Sequence, residues 1–408
     1  MNITPYQYYS PEKNLYAYQN NKDRLQRFHY LPLQLPFLGK WSVTQGYDGA
    51  FTHKNEWGKA LDFMILDDEG KSYQNAGLHC ENYYCYGKPV TAPADGYIVE
   101  MVDYIEDNPI GEISTTNNWG NSVVIQHVTG VYTQLSHLKK KSMKVKKGDF
   151  VKMGDIIAQC GNSGRSPYPH LHFQVQHTPY VGARTADYPL SYYLSGKYEA
   201  LQQFKIPDEC DTVQNLQQNI VLYNAFNFIP DTGFTFQYEN NKGETKIEHW
   251  DVYTDAYNLK YIHSRETNAI AYFTCDSLMF YFTTFYGSKK SLLYYFYLSA
   301  FKILLSDNQD YVKDNISIHM LEKRSFLVYL NDFTAPFFSF MHAHYRQKTI
   351  LTKNLTSSPD IKMTSEINLS KLKTTKYVSN SIIHVGNQGI ESFEYCSSKT
   401  KIYAKRIL

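Results

Sequence analysis

His170-Leu171-His172 sets two imidazoles one residue apart, between the Gly/Ser-rich loop 161–166 and the apolar run Phe173-Gln174-Val175. On a β-strand, residues i and i+2 project from one face, so the two rings would stand side by side at a strand start. Such a pair can supply a metal ligand and a catalytic base. Upstream lie His53, in a turn-like stretch, and Asp62, at the head of an apolar strand. Together with His172 they would make a two-histidine, one-carboxylate site that leaves a fourth position for water, as catalytic zinc requires. One zinc ion per chain held there would bring the pKa of bound water to about 7 and polarise a substrate carbonyl. A proton acceptor is then needed. His137, in Gln134-Leu135-Ser136-His137-Leu138, and His170 are the candidates, since neutral imidazole can take a proton and return it to a leaving amine. Asp62 at a strand head would be an odd buried charge without a metal or cation beside it.

The elements that must position these groups read as short strands. Alternating or apolar runs fall at 60–66, 96–102, 122–127, 132–138, 155–160 and 171–176, separated by turn residues. A chain of 408 residues predicts about two domains. With 37 tyrosines and 16% aromatic residues, the composition suits pleated, half-buried surfaces. The fold class expected is mainly β: an antiparallel β catalytic domain with a peptide groove, then a second β-rich domain containing a helix. The expected boundaries are an extension over 1–36, the first domain over 37–180, a linker over 181–215 and the second domain over 216–408. In the second domain, strands are expected near 219–228, 233–239, 269–275 and 278–285, a helix over 290–306, a long exposed loop over 352–375 and final strands within 376–405.

A formal net charge of +2 with interspersed signs argues against duplex nucleic acid as a partner, which leaves a basic footprint. No segment reaches the roughly 18 consecutive apolar residues of a membrane span. The nearest, 292–305, is interrupted by Lys302 and reads as a buried helix. Six cysteines are too few for a disulfide scaffold at this length. Cys80 and Cys85 flank a Tyr-rich loop and could close a small disulfide. Cys160, in an apolar strand, reads as a small core residue.

Blocks in a fixed order carry a resemblance. They are Gln45-Gly46, Ala60-Leu61-Asp62-Phe63, Pro89-Val90-Thr91-Ala92-Pro93-Ala94-Asp95-Gly96 and Gly120-Asn121-Ser122-Val123-Val124-Ile125. After them come Ser136-His137-Leu138, the paired turns Lys147-Gly148-Asp149 and Met153-Gly154-Asp155, Gly161-Asn162-Ser163-Gly164 and His170-Leu171-His172-Phe173. Over about residues 40–178 the chain resembles the lysostaphin-type family of zinc metalloendopeptidases, which cut peptide bonds in bacterial peptidoglycan. The resemblance implies that His53, Asp62 and His172 bind zinc, that His137 and His170 are catalytic, and that peptidoglycan stem peptides or cross-bridges are the substrate. The interval from His53 to Asp62 matches a longer-loop form of the family, and Leu135 stands where an aromatic is common. The insertion 67–86 is placed to cover one groove edge. A periplasmic, cell-envelope or secreted location follows from that substrate, although Met1-Asn2-Ile3-Thr4-Pro5 does not open a signal peptide in the given sequence.

Other readings fit less. A catalytically silent relative that binds cell wall or regulates another hydrolase would be expected to lose a ligand, and all five positions are filled. Lipoyl or biotinyl carriers and sugar-phosphotransfer modules share the Lys-x-Gly-Asp turns, yet explain neither Asp62 nor the second histidine. A second His-x-His, His342-Ala343-His344, lacks the preceding loop and any ordered upstream acid, and is not expected to bind metal.

Overall fold

A computed structural model describes residues 31–128, 130–239, 243–321, 326–352, 360–372 and 374–407. The chain divides into two compact units between Asn215 and Leu216. Most of the expected extension, residues 1–30, lies outside the described residues. Residues 31–36 are packed on the first unit, with Leu33 and Leu35 buried and Gln34 N donating to Pro93 O at 2.8 Å. No helix among the described residues is long and apolar enough to cross a membrane.

The first unit is antiparallel β. Its strands are β1 (Trp41–Gln45), β2 (Ala60–Met64), β3 (Pro89–Thr91), β4 (Gly96–Val102), β5 (Asn121–Val128), β6 (Val131–Leu138), β7 (Phe150–Val151), β8 (Ile156–Gln159), β9 (Leu171–Gln176), β10 (Leu190–Ser195), β11 (Ala200–Lys205) and β12 (Thr212–Asn215). One sheet runs in the order β11-β10-β12-β1-β2-β9-β6-β5-β4-β7, and β3 pairs separately with β8. The stretch 181–215, expected as a linker, is corrected: it supplies β10, β11 and β12, which extend the sheet beside β1. Its Pro and Tyr content hid pairings that only the neighbouring strands reveal.

Alternation along β9 explains how the site is presented. Leu171, Phe173 and Val175 enter the hydrophobic core, while His172, Gln174 and Gln176 point to the opposite face. Register then brings the functional strands together: Asp62 on β2 stands opposite His172, which stands opposite Ser136 on β6. A slip of one residue would turn His172 into the core, so the apolar partners of β9 hold the register.

Cys80 and Cys85, expected as a possible disulfide, are both free thiols. Cys80 Sγ donates to Asn108 O at 3.5 Å and Cys85 Sγ to Pro169 O at 3.1 Å, so each sulfur faces a backbone carbonyl instead of the other thiol.

The second unit is a single antiparallel sheet of twelve strands among the described residues. Hairpins run outward from Gly233–Glu239 to Lys302–Leu304 on one side. On the other they run from Val312–Ile316 to Lys401–Ile407, and the two series join where Gly233–Glu239 pairs with Lys401–Ile407. The sheet curls until its edge strands approach one another, bridged by the Lys302–Asp314 ion pair.

Inside this sheet lies the helix Leu292–Ser299, every residue of which but Tyr295 is buried. A helix apolar all round must be enclosed. Its amino end is held by Glu248, 1% exposed, whose carboxylate accepts from Leu292 N, Leu293 N, Ser291 Oγ and Trp250 Nε1. That negative charge meets the positive end of the helix dipole.

Three sequence expectations change here. Residues 219–228 form the helix Ile220–Phe226, capped by the Asn219 side chain accepting from Leu222 N. The helix expected over 290–306 stops at Ser299, because Lys302–Leu304 pairs with Met279–Tyr286. The expected loop 352–375 contains the strand Asp360–Lys371, paired on both sides.

Candidate metal centre

Four elements converge at one end of β2, β6 and β9. His53 comes from the β1–β2 connection, Asp62 from β2, His137 from the end of β6, and His170 and His172 from the start of β9. All five line one cleft of about 490 Å³, walled by aromatic side chains that include Phe51, Trp57, Trp119 and Tyr168. Among the described residues, His53, Asp62 and His172 are the group whose donor atoms lie close enough for one ion, all within 4.8 Å of one another. His342 and His344 do not join such a group: His344 Nδ1 contacts Asn315 Oδ1 at 2.9 Å and His342 Nε2 contacts Ser339 O at 3.1 Å on an exposed strand.

Hydrogen bonds assign the imidazole tautomers. His53 Nδ1 donates to Gly46 O at 2.9 Å, leaving the lone pair on Nε2. That nitrogen is buried without a hydrogen-bond partner, and lies 3.2 Å from Asp62 Oδ1. His172 is set by a longer chain. Gln176 Nε2 donates to Thr178 O and Tyr180 O, which turns its Oε1 toward Gln174 Nε2 at 2.7 Å. Gln174 Nε2 also donates to Ala183 O, so Gln174 Oε1 faces His172 Nε2 at 2.9 Å and takes its proton. His172 Nδ1 is left 2.9 Å from Asp62 Oδ1. Two lone pairs at that distance require a positive charge between them, a proton or a metal ion. The orphaned His53 Nε2 points to the same place. The donor set of two imidazoles and one carboxylate fits zinc.

Asp62 is anchored from behind. Its Oδ2 accepts from Gln45 Nε2 at 2.8 Å, and Gln45 Oε1 in turn accepts from Phe51 N and Thr52 N. Gln45 therefore ties the carboxylate to the loop that carries His53. Burial favours the neutral acid, but the neighbouring imidazoles of His170, His172 and His53 outweigh it and hold the Asp62 carboxyl well below the usual range. Burial likewise opposes the His53 cation, while the adjacent carboxylate outweighs it and raises the pKa.

His137 and His170 sit together, with ring centroids 4.7 Å apart. Regular alternation would send His137 toward the core beside Leu135. Its φ of 60° breaks the strand and turns the ring into the cleft. His137 Nδ1 donates to Ser163 O at 2.8 Å, and His170 Nδ1 to Tyr168 O at 2.9 Å, so both Nε2 lone pairs are free for the cleft. Burial, then the nearby His170 and His172, hold the His137 pKa well below its ordinary value.

All five residues singled out in the sequence are thus gathered at one site. Gln174, Gln176 and the anchoring role of Gln45 were not read from the sequence. The period-two spacing of Gln174 and Gln176 after His172 was the available signal.

An antiparallel β domain with a His-Asp-His donor set defines the class, and the comparisons with known proteins agree. Residues 75–184 match Peptidase family M23. His137, His170 and His172 fall inside that match, and His53 and Asp62 precede it. Over 138 residues the chain is 33% identical to Peptidoglycan DD-endopeptidase ShyB of Vibrio cholerae, covering 33% of this chain and 29% of that protein. Over 129 residues it is 35% identical to lysostaphin of Staphylococcus staphylolyticus, covering 30% and 24%. The first unit carries a domain of the lysostaphin-type M23 family. The catalytic domain of lysostaphin from Staphylococcus simulans, a solved structure, aligns at 23% identity with a TM-score of 0.23, over 36% of this chain and 88% of that one. The chain spans about a third of the length of the curated relatives it matches.

Proposed function

We propose that the first unit is a zinc-dependent endopeptidase that hydrolyses peptide bonds in peptidoglycan, acting outside the cytoplasm where that substrate lies. The observation that carries the reading is the convergence of three donor atoms, His53 Nε2, Asp62 Oδ1 and His172 Nδ1, each held in its metal-binding form by a partner behind it. Zinc bound by these three residues supplies Lewis acidity toward a peptide carbonyl and lowers the pKa of a water molecule.

The remaining work belongs to the two histidines that are not ligands. Their Nε2 atoms open on the same cleft. One accepts the proton of the attacking water and passes it to the leaving amine; the other takes up a proton from solvent on Nε2 before the reaction, donates that hydrogen to the oxyanion of the tetrahedral intermediate and keeps it when the intermediate collapses. The aromatic walls bind an extended peptide and exclude water from the reacting bond. The names of the matched relatives, a peptidoglycan DD-endopeptidase and lysostaphin, support the substrate class.

The test measures zinc content and cleavage of purified peptidoglycan by wild type, His172→Ala and His137→Ala. Stoichiometric zinc in wild type, its loss in His172→Ala, and retained zinc without cleavage in His137→Ala are expected. Wild type that binds zinc but cleaves nothing would favour a silent, wall-binding relative, and activity surviving His172→Ala would sink the assignment.

A further inference from the structure

We propose that Arg165 forms a carboxylate-binding subsite in the cleft, which makes the substrate an anionic stem peptide instead of an uncharged glycine bridge. The inference deepens the endopeptidase reading above and rests on it for the identity of the peptide.

Arg165 lines the same cleft as the five site residues. Apart from the site histidines, the cleft lining holds two charged side chains, Asp62 and Arg165, and Asp62 is engaged with the histidines and Gln45. Other described arginines have acceptors. Arg184 pairs with Glu56, Arg265 with Asp251 and Arg346 with Glu366, and Arg406 donates to Gln388 O. The Arg165 guanidinium has no ion pair or hydrogen bond among the described residues. Its charge and its planar fork of donors are therefore available to a ligand, and that fork matches a carboxylate.

The loop beneath it is fixed. Arg165 N donates to Asn118 O at 2.9 Å, and Gly164 O accepts from Ser114 N at 2.8 Å and from Asn108 Nδ2 at 2.6 Å. Gly164 has φ 86°, and a Cβ there would lie 2.3 Å from Gly120 N, so only glycine fits this close approach. Ser166 Oγ donates to the buried Asn162 Oδ1 at 2.8 Å. Arg165 thus projects from a rigid platform, which lowers the entropy lost on binding.

Aromatic side chains border the approach to Arg165. Trp119 precedes Gly120 on the neighbouring loop, and Tyr168 stacks on Tyr83 of the 67–86 insertion with centroids 6.1 Å apart. Arg165 and Tyr168 are both exposed, so a carboxylate of a bound peptide can reach the guanidinium from solvent, and the gain comes from the charge-assisted pairing itself. A glycine bridge has no charge to place there. A stem peptide carries free carboxylates close to its cross-link.

The test uses two probes: a cross-linked stem-peptide dimer with its carboxylates free, and the same dimer with them amidated. Binding by calorimetry and cleavage by chromatography are measured for zinc-loaded wild type, Arg165→Gln and Arg165→Lys. Wild type should prefer the free acid by about tenfold in both readouts, the size of one charge-assisted contact. Arg165→Gln should lose that preference, with the amidated probe bound as in wild type and zinc content unchanged, and Arg165→Lys should keep part of it. Equal binding of the two probes by wild type, or an undiminished preference in Arg165→Gln, would overturn the subsite. A preference that depends on Arg165 without cleavage of either probe would leave the subsite standing and remove the endopeptidase reading. The wild-type comparison stands even if a variant fails to fold.

Discussion

Gln174 Oε1 lies 2.9 Å from His172 Nε2, one step farther along the same face of a single strand. The amide cannot flip without breaking its donations to Gln176 and Ala183, so it enforces one tautomer on the histidine. A local strand period thereby sets which nitrogen of His172 meets Asp62.

Removing that acceptor should weaken the metal site without dismantling it. Gln174→Leu is expected to lower zinc affinity by about 10- to 100-fold, the usual cost of losing a hydrogen-bonded group behind a ligand, while Gln174→Glu keeps an acceptor and most of the affinity. Competition titration against a chromophoric chelator measures both. Equal affinities in wild type and Gln174→Leu would contradict the tautomer argument.

If zinc occupies the triad as proposed, its removal should destabilise the first unit, because the folded triad would hold the ion and the dispersed ligands of the unfolded chain would not. Chelation is expected to lower the thermal midpoint of wild type by several degrees, and readdition of zinc to restore it. Asp62→Ala should show the lower midpoint throughout and no response to zinc. Differential scanning calorimetry reads the outcome.

His137→Ala tests the division between ligand and acid/base roles. Its imidazole reaches the cleft through a left-handed backbone and is no part of the donor triad. Zinc content should stay at wild-type level while the cleavage rate falls by about a hundredfold or more. Loss of zinc in this variant would move His137 into the ligand set.

Acid sensitivity of the first unit should involve His127. Its Nδ1 lies 2.8 Å from Asp95 O and its Nε2 2.8 Å from Thr133 Oγ1, and burial lowers its pKa from 6.5 to about 4. Between those values the unfolded chain binds a proton that the folded chain does not. Stability is therefore lost as pH falls through that window and recovered as it rises. Urea unfolding of zinc-free protein should show a lower midpoint in mild acid than at neutrality, with a shallower dependence in His127→Gln. Parallel pH curves would exclude this histidine as a source.

In the second unit, Glu248→Ala should be severe. It leaves Leu292 N, Ser291 Oγ and Trp250 Nε1 without their buried acceptor at the start of the enclosed helix, and Leu293 N with Ser291 Oγ alone. A loss of about 3 kcal/mol is expected from denaturant unfolding of that unit, against little change for an exposed control such as Glu244→Ala.

Much of the site was legible because it follows local rules. The spacing of His170 and His172, the apolar alternation of β9 and the acid at the head of β2 are properties of short segments. The observed strands Gly96–Val102 and Leu171–Gln176 coincide with the runs that announced them. Segments misread were those in which local preference and tertiary demand disagree. Ile220–Phe226 is rich in residues that suit strands, yet the Asn219 cap and the burial of Leu222 and Phe226 make it a helix. The stretch after Ser299 loses its helix to a strand pairing with Met279–Tyr286.

By itself the sequence determined which residues could do the chemistry, their order, and the two-residue period that puts His172 and Gln174 on one strand face. Those follow from side-chain identity and backbone geometry. Only the tertiary structure decided that Asp62 stands across from His172, that His137 turns into the cleft and that 181–215 completes the sheet. It also decided that the Arg165 guanidinium is left without a partner among the described residues. Each of these depends on contacts between residues distant in the chain, where strand register and burial select one arrangement from many that local preference allows.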